Sequence, residues 1–184
     1  MIKIQNQKTT NLFLNKKMTN NLPLLIIGFC GGSFGSNGVG KTTAANFLVK
    51  KHNFHLCDLS NPVNESAKKL CKWDGKKDKN GLMILNQVCM KGRQINENYW
   101  FNISLASIPK NITKVVFDNV YFKNEADFIQ NKGLIINIDR NGFEEIDLDF
   151  NFDHTISNDA SLNDFENKID NLINKLYNVN NAEK

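Results

Sequence analysis

The chain has 184 residues, 41% apolar and 23% charged, with a formal net charge of +4. That length holds one domain with a sizeable core and not two ordinary ones, and the composition excludes a disordered or fibrous chain. The longest apolar stretch, residues 22–30, is about half of what a membrane span needs, so no spanning helix and no membrane partner are expected.

In chain order, residues 1–21 lack acids, arginine and an amphipathic pattern, and read as a disordered extension rather than a transit peptide. LPLLIIGF (22–29) is a continuous apolar run of strand length, the pattern of a strand buried on both faces of a parallel sheet. After a glycine-rich loop, TTAANFLVKKH (42–52) predicts a helix with a basic end, and FHLCDLS (54–60) a short strand. NPVNESAKKLCKW (61–73) opens a second helix, and DGKKDKNGL (74–82) reads as a polar, glycine-punctuated loop. MILNQVCMKGRQI (83–95) predicts a helix, and ENYWFNISLASI (97–108) another helix or a mixed segment. KVVFDNV (114–120) and GLIINID (133–139) are strands separated by a helix over 125–130, and FDHTISN (152–158) is a last strand. Leu162, Phe165, Ile169, Leu172, Ile173 and Leu176 then line one face of an amphipathic helix. Alternating strands and helices predict one α/β domain over 22–178, with a three-layer fold, a central parallel sheet of about five strands and a tail at 179–184.

Cys30, Cys57, Cys71 and Cys89 show neither CxxC pairing nor histidines at metal-ligand spacing. They predict reduced thiols in a cytoplasm-like compartment, the host cytoplasm if the gene is viral.

Gly35-Ser36-Asn37-Gly38-Val39-Gly40-Lys41-Thr42 matches GxxxxGK[ST] in full, with Thr43 following. The glycines let backbone N–H groups curl around a phosphate, Lys41 brings a charge to the β- and γ-phosphates, and the Thr42 hydroxyl can ligate Mg²⁺. The helix after the loop turns its positive end to the same anion. Residues 1–57 hold seven lysines and no acid, whereas 139–184 hold eleven acids against four bases, which suits an anionic ligand near the loop. That basic part lacks the interleaved aromatics of a nucleic-acid-binding surface, so a small-molecule nucleotide is the expected partner. Gly31-Gly32-Ser33-Phe34 precede the loop and are expected to bulge beside it.

Two matches point elsewhere. Asp139-Arg-Asn-Gly142 fits DxxG and Asn167-Lys-Ile-Asp170 fits the guanine-reading NKxD, but the second lies inside the amphipathic C-terminal helix. A GTPase is therefore not expected.

LSNPVNESAKKL, WDGKKDKNGLMILNQVCMKGRQINENYWFN, VVFDNVYFKNEADFI, GLIINIDR and HTISNDASLNDF together resemble the phage-type deoxynucleoside monophosphate kinases, a branch of the adenylate-kinase-like P-loop kinases. The resemblance covers about residues 24–178 and implies transfer of the ATP γ-phosphate to a (deoxy)nucleoside monophosphate, with Mg²⁺. It implies that residues 61–101 form the acceptor and lid region. Arg93 and Arg140, the two arginines against twenty-one lysines, fall where that family carries arginine. Bidentate phosphate recognition is a task lysine does poorly, so both are read as phosphate clamps. Asp118, ending an apolar strand, is read as the acid that holds Mg²⁺ through water, or as a strand-end turn residue. Trp73 and Trp100 are read as nucleoside-pocket or core residues.

The sequence departs from the family at Asn61, Asn64, Leu82, Asn119 and Tyr121, where the family has charged residues, and Lys76, Lys77, Lys91 and Lys123 stand nearby to compensate. Two rivals stay open: a nucleotide-binding protein of the same fold without turnover, and a small-molecule kinase of the dephospho-coenzyme A type. The oligomeric state, monomer or homodimer, also stays open.

Overall fold

The computed structural model describes residues 25–32, 38–143 and 148–182, with side chains through Leu176. The extension at 1–21, the expected bulge at Ser33 and Phe34, and loop residues Gly35, Ser36 and Asn37 lie outside the described residues.

Five strands, β1 (Leu25–Cys30), β2 (His55–Asp58), β3 (Lys114–Asp118), β4 (Gly133–Asp139) and β5 (His154–Ser157), form one sheet in the order β2-β3-β1-β4-β5. Every pairing is parallel, with Ile27 of β1 opposite Val116 on one side and Leu134 on the other. The period-2 alternation of strand side chains divides the core in two. Ile27, Phe29, Val116, Ile136 and Ile138 face helices α1 (Lys41–His52) and α6 (Leu162–Ala182), meeting Leu48, Phe165, Ile169 and Ile173. Ile26, Cys30, Val115, Phe117 and Ile135 face the other way, onto Phe101, Ala126 and Ile129. Phe101 belongs to α4 (Tyr99–Ala106), and Ala126 and Ile129 to α5 (Lys123–Gln130). The molecule is thus an α/β three-layer sandwich, and the apolar run that fills β1 is what a doubly covered central strand requires.

Between β2 and β3 the chain builds α2 (Asn61–Cys71), α3 (Lys79–Ile95) and α4, which share a small core of Val63, Ala67, Trp73, Leu85 and Cys89. Helix α3 starts four residues before the predicted 83, inside the expected loop. Asp78 caps it, its side chain accepting from Gly81 N at 2.9 Å. Gly81 is no loop punctuation: a Cβ there would overlap the Lys76 carbonyl oxygen and lie 2.8 Å from Trp73 Nε1. Segment 97–108 resolves to helix, and its Trp100 packs so close to Gly92 of α3 that a Cβ would strike the indole.

Among the described residues no helix is long and apolar enough to cross a membrane, and all four cysteines are free. The Asn167–Asp170 match sits in mid-helix of α6, where Asp170 Oδ1 meets His52 Nε2 at 2.8 Å and Oδ2 meets Lys51 Nζ at 3.0 Å. It staples α1 to α6 and reads no base.

Candidate functional site

In a parallel sheet ligands collect beyond the carboxyl ends of the strands, where the order of connections reverses. Here β1 feeds β2 on one side of the sheet, and β3 returns across β1 to β4 on the other. The phosphate loop leaves β1 at that point. Gly31, Gly38 and Gly40 have φ of +121°, +111° and +112°, left-handed backbone that favours glycine. Gly40 is also pressed from below: a Cβ would stand 3.3 Å from the Phe165 ring of α6. Ala44 N donates to Gly40 O at 2.9 Å, and no acid occupies the first turn of α1, so its N-terminal amides and dipole face the cleft unopposed.

Lys41 is buried, 3% exposed, and its Nζ donates to Gly31 O at 2.7 Å. The ammonium also stands 5.3 Å from the centroid of the Tyr121 ring. Burial lowers its pKa, and the nearby Asp118 carboxylate pulls the other way.

Thr42 Oγ1 donates to Asp118 Oδ2 at 2.7 Å, joining the head of α1 to the end of β3. Asp118 is 1% exposed and burial raises its pKa. Among the described residues its Oδ1 meets no hydrogen-bond partner, a costly state for a buried carboxylate oxygen. An orphaned hard oxygen beside a hydroxyl, at the mouth of a phosphate loop, suits Mg²⁺, which takes one or two protein ligands and fills the rest with water and phosphate. Among the described residues no group of three or more His, Cys, Asp or Glu side chains could hold a metal by itself.

Three cavities run in a row along the strand ends. A cleft of about 510 Å³ lies against the loop, bounded by residues 38–43, Arg140 and the turn from β5 into α6. Arg140 Nη1 donates to Gly38 O, and Asn158 Nδ2 donates to Val39 O at 2.8 Å, so β4 and β5 both grip the loop. Next comes an inner chamber of about 60 Å³ walled by Leu59, Val63, Leu85, Cys89, Trp100 and Phe122, with Asn64, Arg93 and Glu125 on its lining. Beyond it, sharing Arg93, Tyr121 and Phe122 with the chamber, an outer groove of about 990 Å³ runs along α3 past Leu82 and Met83.

The two arginines are therefore not neighbours. Arg140 stands at the loop, whereas Arg93 lies between chamber and groove. Its guanidinium is stacked 3.7 Å from the Phe122 ring centroid and donates to Glu97 O at 2.9 Å. Trp100 lines the chamber and its indole N–H donates to Cys89 O at 2.8 Å; Trp73 is core, donating to Lys76 O at 2.8 Å. Asn61 faces a separate surface groove with Pro62 and Glu65.

Asp58, Glu125 and Asn158 were given no role by sequence reasoning and Asn119 was noted only as a departure from the family; Glu125 lines the chamber, Asn158 the cleft and Asn119 both, and Asp58 joins them through Asn119. Asn119 has φ +65°, which asparagine tolerates better than most residues, and its amide donates to Asp58 Oδ1 at 3.3 Å. The same oxygen accepts from Ser60 N at 2.8 Å and Ser60 Oγ at 2.7 Å. Glu125 is 5% exposed, and its Oε2 accepts the N–H groups of Tyr121 at 3.0 Å and Phe122 at 3.2 Å. Burial pushes its pKa up to about 7. The one available signal was acid or amide at a strand end or helix start, which abounds in this Asn- and Asp-rich chain.

No family model matches the sequence, and no curated protein matches it significantly. Solved structures do. The Thermus thermophilus protein TT1252 superposes with a TM-score of 0.50 at 14% identity, over 84% of this chain and 99% of its own. The APS kinase CysC of Mycobacterium tuberculosis, in complex with AMPPNP and APS, gives a TM-score of 0.45 at 11% identity, over 83% of this chain and 99% of its own. At such identity the likeness to TT1252 concerns the fold: an α/β domain with a five-stranded parallel sheet between helices.

Proposed function

We propose that the chain is an ATP- and Mg²⁺-dependent nucleoside monophosphate kinase, acting on deoxynucleotides among its acceptors. One observation carries this reading. A cleft with a complete phosphate-loop ending and a separate chamber with a cationic edge adjoin at Lys77 and Asn119, the latter next in the chain to the buried Asp118. Phosphoryl transfer asks a protein for positioning and positive charge, with little covalent chemistry, and such a pair of cavities supplies both.

The amides at the start of α1 would cradle the β-phosphate of ATP. Lys41 would exchange the Gly31 carbonyl for β- and γ-oxygens, already stripped of water by its burial. Arg140 would close the loop side, and Arg93 would meet the anionic acceptor. Thr42 and Asp118 would hold Mg²⁺, which when bound spreads the charge of the β- and γ-phosphate oxygens. An acceptor phosphate is already ionised and needs no base. A hydroxyl acceptor, as in a dephospho-coenzyme A type kinase, would need one. Asp58, in register with Asp118 on the neighbouring strand, already accepts three hydrogen bonds on Oδ1. Glu125, on the chamber lining with its pKa raised to about 7, could serve a hydroxyl acceptor, so the choice between the two falls to the acceptor panel.

The test is ADP release from ATP across a panel of dNMPs and NMPs. Turnover should require Mg²⁺ and fall by about a hundredfold or more in Lys41→Ala, the scale expected for losing a charged contact to the transferring group. Tight ATP binding without turnover on any acceptor would sink the kinase reading and leave a nucleotide-binding protein.

A further inference from the structure

The cleft at the loop and the inner chamber share two described lining residues, Lys77 and Asn119. They stand where the two cavities adjoin. In the kinase reading two phosphates meet at that wall, and their repulsion has to be cancelled there. Neither arginine is on it: Arg140 is at Gly38, and Arg93 is stacked on Phe122 at the far side of the chamber. Position 121 carries a tyrosine whose ring faces the Lys41 ammonium.

The four lysines near the acceptor side differ in where they stand. Lys76 pairs with Asp74 at 3.1 Å, Lys123 with Asp127 at 2.8 Å, and Lys91 Nζ donates to Gln94 at 3.3 Å. Lys77 alone of the four borders the cleft and chamber. Its backbone is held from both sides, by the Trp73 indole on Lys76 O at 2.8 Å and by the Asp78 cap on Gly81 N at 2.9 Å. A long cationic side chain thus springs from a fixed base. Its charge already reaches Lys41, whose pKa it helps to lower after the larger effect of burial.

We propose that Lys77 is the bridging cation of the transfer, its ammonium contacting the γ-phosphoryl group and the acceptor phosphate together, with the neutral Asn119 amide beside it. This rests on the kinase reading above. In the step, an acceptor phosphate oxygen forms the bond to Pγ while the bond from Pγ to the β–γ bridging oxygen breaks, and the electron pair leaves with ADP. No proton moves, and Lys77 stays protonated throughout.

The probes are AMPPNP, which fills one side, and adenosine–nucleoside pentaphosphates carrying each common base, which span both. Lysine acylation of the wild-type chain, read by mass spectrometry, should show Lys77 protected about tenfold more by the tightest pentaphosphate than by AMPPNP, with Lys76, Lys91 and Lys123 unchanged. Lys77→Ala should lose about thirtyfold in pentaphosphate affinity and less than about twofold in AMPPNP affinity, with Lys77→Arg recovering most of the loss. Equal weakening of both ligands, or unaltered Lys77 labelling under a pentaphosphate that the wild type binds tighter than AMPPNP, overturns the bridging role alone. A wild type that binds no pentaphosphate tighter than AMPPNP overturns the kinase reading and the bridge together.

Discussion

At the scale of single residues, the site is a set of groups held in costly states by their neighbours. Asp118 is the sharpest case, a buried carboxylate satisfied on one oxygen by Thr42 and orphaned on the other. A group kept for ligand binding rather than for folding should be replaceable without loss of stability. Asp118→Asn keeps an acceptor for the Thr42 hydroxyl and removes the buried charge, at the cost of one amide without a partner. Its stability should therefore stay within about 1 kcal/mol of wild type at pH 8, while Mg²⁺-dependent ATP affinity falls about tenfold or more. Paired urea melts and titrations check it; a large loss of stability with ATP binding intact would make Asp118 structural. The sequence marked this residue as a candidate only through the resemblance, since Asp58 and Asp139 close strands as well. Glu125 was not marked at all. Nothing in NEADF says that α5 will turn its first acid inward, over two backbone N–H groups.

At the scale of elements, most helices and strands announced themselves by period and run length, and the miss is instructive. Residues 74–82 are polar and glycine-rich, as a loop is, yet Asp78 and Gly81 make the first turn of α3. Gly81 is glycine because the Lys76 carbonyl and the Trp73 indole pass where a side chain would be. Such a requirement is created by packing between segments and leaves no periodic trace. Gly81→Ala should cost about 1–3 kcal/mol of stability, the usual range for overpacking, and should push the 72–78 segment off the helix. Gly92→Ala, which strikes Trp100 instead, should cost a similar amount but leave that segment seated. If the segment serves transfer, turnover per folded molecule drops in the first variant well below that of the second. Turnover per folded molecule at the wild-type level in Gly81→Ala would detach residues 72–78 from function.

At the scale of the whole molecule, the sheet order, both core layers and the position of the loop at the reversal of connections follow from the alternation of apolar runs and amphipathic helices. The shape and size of the acceptor side do not, because they depend on how α2–α4 lie against one another. The same burial sets the pH response of folding. Glu125 has its pKa raised from 4.5 to about 7, so folding favours its protonated form; Asp118 is raised as well. For a raised acid the stabilisation is fully present below the unfolded value and is lost as pH climbs through the folded one. Asp74, Asp159 and Asp170 are shifted down, held by hydrogen bonds from Lys76 N, Asn141 N and Lys51 respectively, so their contribution is lost only as pH falls below about 4. Between pH 4.5 and 7 the Glu125 share should therefore decline by roughly 3 kcal/mol. Glu125→Gln keeps an oxygen for the two N–H groups and should flatten that decline, as urea midpoints from pH 5 to 8 will register. A wild type that gains stability over this interval would mean that Glu125 is ionised at little cost.

The hydrogen bond from Lys41 to Gly31 has one more implication. A backbone carbonyl that holds the loop lysine is an internal rival for every phosphate that enters. In the proposed kinase it would subtract from nucleotide affinity, since each arrival would have to evict it. It also stands ready at departure, because the ammonium leaving a product phosphate is caught at once and never passes through a buried state without a partner. Gly31 cannot be altered to abolish the arrangement without a side chain running into Ile138 O of β4. In that reading the central strand and its neighbour hold in place the carbonyl that would receive the lysine on release.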